Sequence, residues 1–231
     1  MNAYPPQLYT LVINNIGIAT NISSLLGRLD EDLDMALTRK LENLVAGQPG
    51  WQCKFDVFDM CWAPEDWPKN EAGRPSVFSG RPLAFYCLDG GPEGNILQDE
   101  YGIPSPVRCL SVALGHASHE LRFCFNVEEH NFINKIKMAP QRKSYNEAKM
   151  NVLRELYDRQ PLLRETGFHI DGTFGLIYRP FVLSAEALAE NYPDFEPAFQ
   201  ALEDAWKDLL KVHHVFDEFV KEELPIQFRS K

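Results

Sequence analysis

No stretch of this 231-residue chain approaches the ~20 consecutive apolar residues that a membrane span requires. Cysteine is scarce and scattered: Cys53, Cys61, Cys87, Cys109 and Cys124 are odd in number, sit mostly inside apolar runs such as FYCL and RFCFNV, and form no CxxC pair. That spacing excludes a disulfide framework and a zinc ribbon, and it matches buried thiols in a reducing cytosol. The N-terminal stretch MNAYPPQLYTLVINN has no basic n-region, and Asn14 and Asn15 break its apolar run, so no secretory or transit signal is expected. Nucleophile and phosphate motifs are missing as well. There is no GxSxG, and the glycines of DGGPEG neither lead to Lys-Ser/Thr nor open a helical pattern. No catalytic residue, metal ligand or cofactor is assigned from the sequence.

Positive charge is in deficit, with 23 Lys and Arg against 33 Asp and Glu. A net charge of −10 repels nucleic acid overall, so any contact with it has to be local. The deficit is uneven. Residues 135–164 hold 8 Lys/Arg against 3 Asp/Glu, a basic island between two acidic flanks. Charge runs are usually solvated faces, so internal pairing with the acidic helices is the first expectation. The alternative is a patch formed by Lys135, Lys137, Arg142 and Lys143, with Pro140 favouring a projecting loop. Such a patch would bind an acidic partner or nucleic-acid phosphates.

What the chain does have is apolar periodicity. Phe195, Phe199, Leu202, Trp206, Leu209, His213, Phe216 and Val220 recur at 4-3-4-3-4-3-4, the seam of a long amphipathic helix. His213 is its one polar member, expected to hydrogen-bond to a strand residue or a buried carboxylate. A second helix is expected from Asn21 to Gly47, with Asn21 or Ser23 as N-cap and Ile22, Leu26, Leu29, Leu33, Leu37, Leu41 and Leu44 on one face. Asp30, Glu31, Asp32 and Asp34 then fall near its start, where negative charge suits the dipole.

Strand patterns are expected at 8–13, from Trp51 to Val57, over PLAFYCLD, at 107–114 and 120–127 as a hairpin, and twice around Asp171-Gly172. A helix over 144–158 stops before Pro161, and Ser184 caps another. Strands and helices do not alternate regularly. The expected fold is therefore α+β, a mostly antiparallel sheet with packed helices and a long C-terminal amphipathic helix. One domain over 1–231 is the simplest organisation, with segment 184–225 as an appendage in the alternative.

Chemistry-bearing residues are few. His116 and His119, with Glu120, Cys124 and His130 nearby, have the wrong spacing for a helical metal pair. Asp56, Asp59, Asp66 and Asp89 lie near strand ends, as in Mg²⁺-dependent nucleases, but no acid-x-Lys follows. The segment CWAPEDWP places Trp62 and Trp67 in a short connection, where they either anchor the loop to its own core or serve as a binding hot spot. The functional expectation is a non-enzymatic cytosolic binding protein of inhibitor, immunity or adaptor type. It would engage a protein partner through Lys135, Lys137, Arg142, Lys143, Trp62 and Trp67. A divergent metal-dependent hydrolase or nuclease and a nucleic-acid contact through 135–164 are the alternatives.

Overall fold

The computed structural model describes residues 14–56, 59–69, 82–89, 113–115, 120–127, 142–172 and 175–224. Helix α1 (Ile16–Ala46) leads into strands β1 (Trp51–Asp56), β2 (Asp59–Pro64), β3 (Ala84–Asp89) and β4 (Leu121–Val127). Helices α2 (Arg142–Arg159) and α3 (Pro161–Glu165) follow, then β5 (His169–Asp171), β6 (Leu176–Phe181), α4 (Ala185–Asn191) and α5 (Gln200–Glu218). A 3-10 turn at Glu196–Phe199 opens α5, with Pro197 in its first positions, and a π turn at Phe219–Glu223 extends it. The sheet order is β1-β2-β3-β4-β6-β5, and every neighbouring pair is antiparallel. This is the α+β class read from the element order.

Alternation along the strands creates two faces. Trp62, Tyr86, Phe125 and Ile177 lie in one transverse row by cross-strand register and are buried. Helix α5 packs on this row. Phe216 stacks on Phe125 with ring centroids 4.3 Å apart, and Trp206 sits 5.7 Å from both Trp51 and Trp62. Every seam residue from Phe195 to Val220 is buried except His213, which is half-buried. The opposite face carries a row of thiols, Cys61, Cys87 and Cys124, on adjacent strands.

Helix α1 departs from its expected start. Asn21 and Ser23 lie inside it, and Asn15 stands at the N-cap without a side-chain capping bond. The low helix propensity of Ile16-Gly17-Ile18 is overridden. Asp30, Glu31, Asp32 and Asp34 therefore sit mid-helix, where the macrodipole offers no support. Of the expected hairpin of 107–114 with 120–127, residues 107–112 lie outside the described residues. Both edges of β4 are taken, by β3 and β6, and Ala113 is helical. Strand β2 was concealed by the proline-rich pattern around it. It lies between β1 and β3, and Pro64 is its last residue, so the missing N–H falls at the strand end. The strand expected at 8–13 lies outside the described residues.

Ser184 caps α4 as expected, its Oγ accepting from the Ala187 N–H at 3.2 Å. Gly167 closes the α3–β5 turn at φ +78°, and a Cβ there would stand 3.1 Å from the Arg179 side chain. Arg179 is itself bound to Asp208 of α5 at 3.0 Å, which ties β6 to the helix above it.

Candidate functional site

Helix α1 carries an apolar stripe along its length. Leu33, Leu37, Leu41 and Val45 recur every four residues and are buried. Towards the N-terminus the same face continues through Leu29 to Leu25 and Ile18, but the core does not follow it. Leu25 is 64% exposed and Ile18 60% exposed. Beside this stretch lies α4, a short helix that turns Ala185, Leu188, Ala189 and Tyr192 to one side. Between the two helices opens a cavity of about 390 Å³. Leu25, Leu29, Leu114, Leu188 and Phe195 give it apolar walls, and Arg28 and Tyr192 stand at it. Phe195 is buried, whereas Tyr192 is 52% exposed. A half-open apolar cavity of this size falls in the range of ligand and anchor-residue pockets.

A polar contact ties its rim. The Tyr192 hydroxyl donates to Asp32 Oδ2 at 3.0 Å, joining α1 to the end of α4, and that carboxylate holds the phenol above its usual pKa. Further along, Lys40 of α1 pairs with Glu196 and Glu203, so the C-terminal half of α1 is anchored to the start of α5. Asp34 is half-buried and stands near Asp30. Burial first, and the Asp30 charge second, raise its carboxyl above the usual value. The acids of α1 thus form a crowded, like-charged surface.

The residues expected to meet a partner are placed differently. Trp62 and Trp67 present no surface, each being only 1% exposed. Trp62 packs edge-on to Phe123 at 5.7 Å, and Trp67 donates its indole N–H to Asp217 Oδ1 at 2.8 Å. They anchor β2 and its outgoing loop to the core, which corrects their assignment as partner contacts. Lys135 and Lys137 lie outside the described residues. Arg142 and Lys143 open α2, and their side chains lie outside the described ones. Elsewhere on the basic island, internal pairing is visible: Arg159 Nη2 meets Glu223 Oε2 at 2.7 Å, and Arg164 bonds to the carbonyls of Tyr157 and Asp158.

His213 occupies the position expected of it. Its Nδ1 lies 2.8 Å from the Tyr86 hydroxyl on β3, and its ring packs on Trp51 at 4.8 Å. Burial depresses its pKa below the usual 6.5. Among the described residues, no group of three or more His, Cys, Asp or Glu could hold a metal ion. His116, His119 and His130 lie outside those residues. Asp56 and Asp59 face each other across the β1–β2 register, and Asp89 faces Arg122 across β3–β4. Arg122, stacked 4.3 Å over the Tyr178 ring, turns its guanidinium to Glu120 and Asp171, each at 3.6 Å.

The cavity residues Leu25, Arg28, Leu188, Ala189 and Tyr192 had escaped the reading of the sequence. One signal was present: Leu25 and Leu26 are consecutive, so the apolar face of α1 is wider at its N-terminal half than a single stripe. No protein-family model, curated protein or solved structure matches the chain.

Proposed function

We propose that the protein is a non-enzymatic, cytosolic binding protein that acts by docking a macromolecular partner, a protein, in the groove between α1 and α4. One observation carries this reading. The α1 stripe that the core buries from Leu33 to Val45 runs on into solvent through Leu25 and Ile18, and there it borders a 390 Å³ apolar cavity. Contiguous exposed apolar surface beside a shaped cavity is a usual mark of an interaction site. The groove replaces Trp62 and Trp67 as the contact surface, and inhibitor, immunity and adaptor roles all fit it.

The test is site-specific photo-crosslinking in the native host. A benzophenone residue at position 25 is expected to capture a discrete protein adduct, and Ala189→Arg, which fills the exposed mouth of the cavity, is expected to abolish it. The same probe at Lys207, exposed on α5, serves as the control surface. Equal capture at both positions, or none at position 25, would remove the groove from consideration.

A further inference from the structure

The helices that form the groove differ sharply in charge from an average surface. Segment 16–34 carries Arg28 against Asp30, Glu31, Asp32 and Asp34, and segment 184–196 carries Glu186, Glu190, Asp194 and Glu196 with no cation at all. On α1, Arg28 lies on the cavity side and Glu31 flanks it, about 100° per residue around the helix. On α4, Glu186 flanks the face that bears Ala185, Leu188 and Ala189 by the same geometry. Glu31, Glu186, Glu190 and Asp194 are all exposed. The groove is thus apolar along its floor and acidic along its sides, within a chain of net charge −10.

Resting on the docking reading above, we propose that the occupant is an amphipathic helix of a protein partner. Its apolar stripe would place a leucine- or phenylalanine-sized side chain in the cavity, and its flanks would be basic. The groove is bordered by two helices and shows an apolar seam, which is the geometry of helix-in-groove recognition. Charge complementarity selects the sign of the flanks, because like charges facing each other across an interface are costly and opposite charges speed encounter. A second copy of this chain would bring the same acids to the groove, so self-association is the disfavoured occupant. Arg28 gives the partner helix one expected acidic position near the residue that enters the cavity.

The experiment uses three labelled model peptides of about 15–20 residues, long enough to hold helix. All share one leucine stripe, with flanks of lysine, glutamate or serine. Fluorescence anisotropy against the full chain should rank lysine above serine above glutamate, with the lysine peptide weakening as salt rises. Ala189→Arg should abolish binding of the lysine peptide. The double variant Glu31→Lys/Glu186→Lys, at two exposed positions, should weaken it about tenfold and bring the glutamate peptide up. Circular dichroism of both variants should match the parent, since neither touches the core.

Preference for the glutamate peptide, or no dependence on flank charge, would overturn the proposal. So would capture of dodecylammonium in the cavity without binding of the lysine peptide, which would mark a site for small cationic amphiphiles. Concentration-dependent dimerisation lost in Ala189→Arg would assign the groove to a second copy. Failure of the peptides with an intact crosslink at position 25 would reject the basic helix alone. Loss of both would reject the docking reading itself.

Discussion

The Tyr86 hydroxyl on β3 lies 2.8 Å from Nδ1 of His213 on α5, a polar bond set in an aromatic surround of Trp51, Trp67 and Phe216. A neutral imidazole accepts from Tyr86 at Nδ1. Burial depresses the His213 pKa, while Asp217 opposes the shift and Lys221 adds to it. The unfolded chain therefore binds the proton more readily than the folded one. Stability from this group is fully present above the usual value near 6.5, and it is lost as pH falls through the window below that value. Chemical denaturation should show a declining unfolding free energy below about pH 6.5, and His213→Gln should flatten that decline. An unchanged slope in the variant would show that His213 does not set it.

Removing the hydroxyl leaves the imidazole acceptor without its partner. Tyr86→Phe should cost about 1–3 kcal/mol at neutral pH, the usual penalty for a buried polar group left unsatisfied. The aromatic stacking of Tyr86 on Trp51, at 5.6 Å and 13°, survives the change. A loss well above this range would mean that repacking accompanies the substitution.

Trp206 is the hinge of the α5 packing, in contact with Trp51, Trp62 and Phe123 and only 3% exposed. Truncation to Ala should cost ~3–5 kcal/mol, the range for large-to-small changes in a core. Equilibrium urea unfolding measures this directly. A cost below ~1 kcal/mol would require the surrounding rings to collapse into the space.

How much of this was legible depended on whether a pattern was periodic and self-contained. The α5 seam was, because eight residues repeat at helical spacing and every one but the half-buried His213 is buried. Even the role of His213 followed, since a polar residue at a core position needs a partner. The start of α1 was not legible: Ile16-Gly17-Ile18 reads as weak helix, and Asn21 and Ser23 imitate caps. Strand β2 was hidden because its one acid and its one proline, Asp59 and Pro64, stand at its ends, while Met60, Cys61 and Trp62 carry the ladder. Trp62 and Trp67 read ambiguously because a loop tryptophan anchors inward or binds outward by the same composition. The cavity required two segments far apart in sequence to meet, which no local pattern records.

Trp67 and Asp217 give an acid-side counterpart. Burial raises the Asp217 pKa, but hydrogen bonds from Lys221 and Trp67 overcome it and leave the carboxyl below its usual 3.8. A lowered folded value stabilises above the unfolded pKa and is lost as pH falls through the folded one. Trp67→Phe removes one of the two donors, so the Asp217 pKa should rise and acid unfolding should begin at higher pH than in the parent. Lys221→Met, which removes the other donor, should act in the same direction. Coincident acid transitions in all three proteins would show that this carboxylate does not govern acid stability.

Thiol chemistry offers the last test, because reactivity follows the thiolate and not the thiol. Burial, with smaller contributions from Glu42 and Cys61, pushes the Cys53 thiol up to about 12 from 9.0. On the far face of the sheet, Cys87 is likewise held well above its ordinary value, chiefly by its hydrogen bond with Cys124. At pH ~8 the thiolate fraction of Cys53 falls about a thousandfold, which the greater nucleophilicity of a more basic thiolate offsets only in part. Iodoacetamide should therefore alkylate Cys53 roughly 50-fold more slowly than an unhindered cysteine, even though its side chain is not fully enclosed. Mass spectrometry of the native protein should find Cys53 and Cys87 unmodified when a reference peptide is already complete, and urea should bring both to the reference rate. Rapid native labelling at either position would contradict a thiol held protonated, by burial at Cys53 on the core face and by the Cys124 contact at Cys87 on the far face.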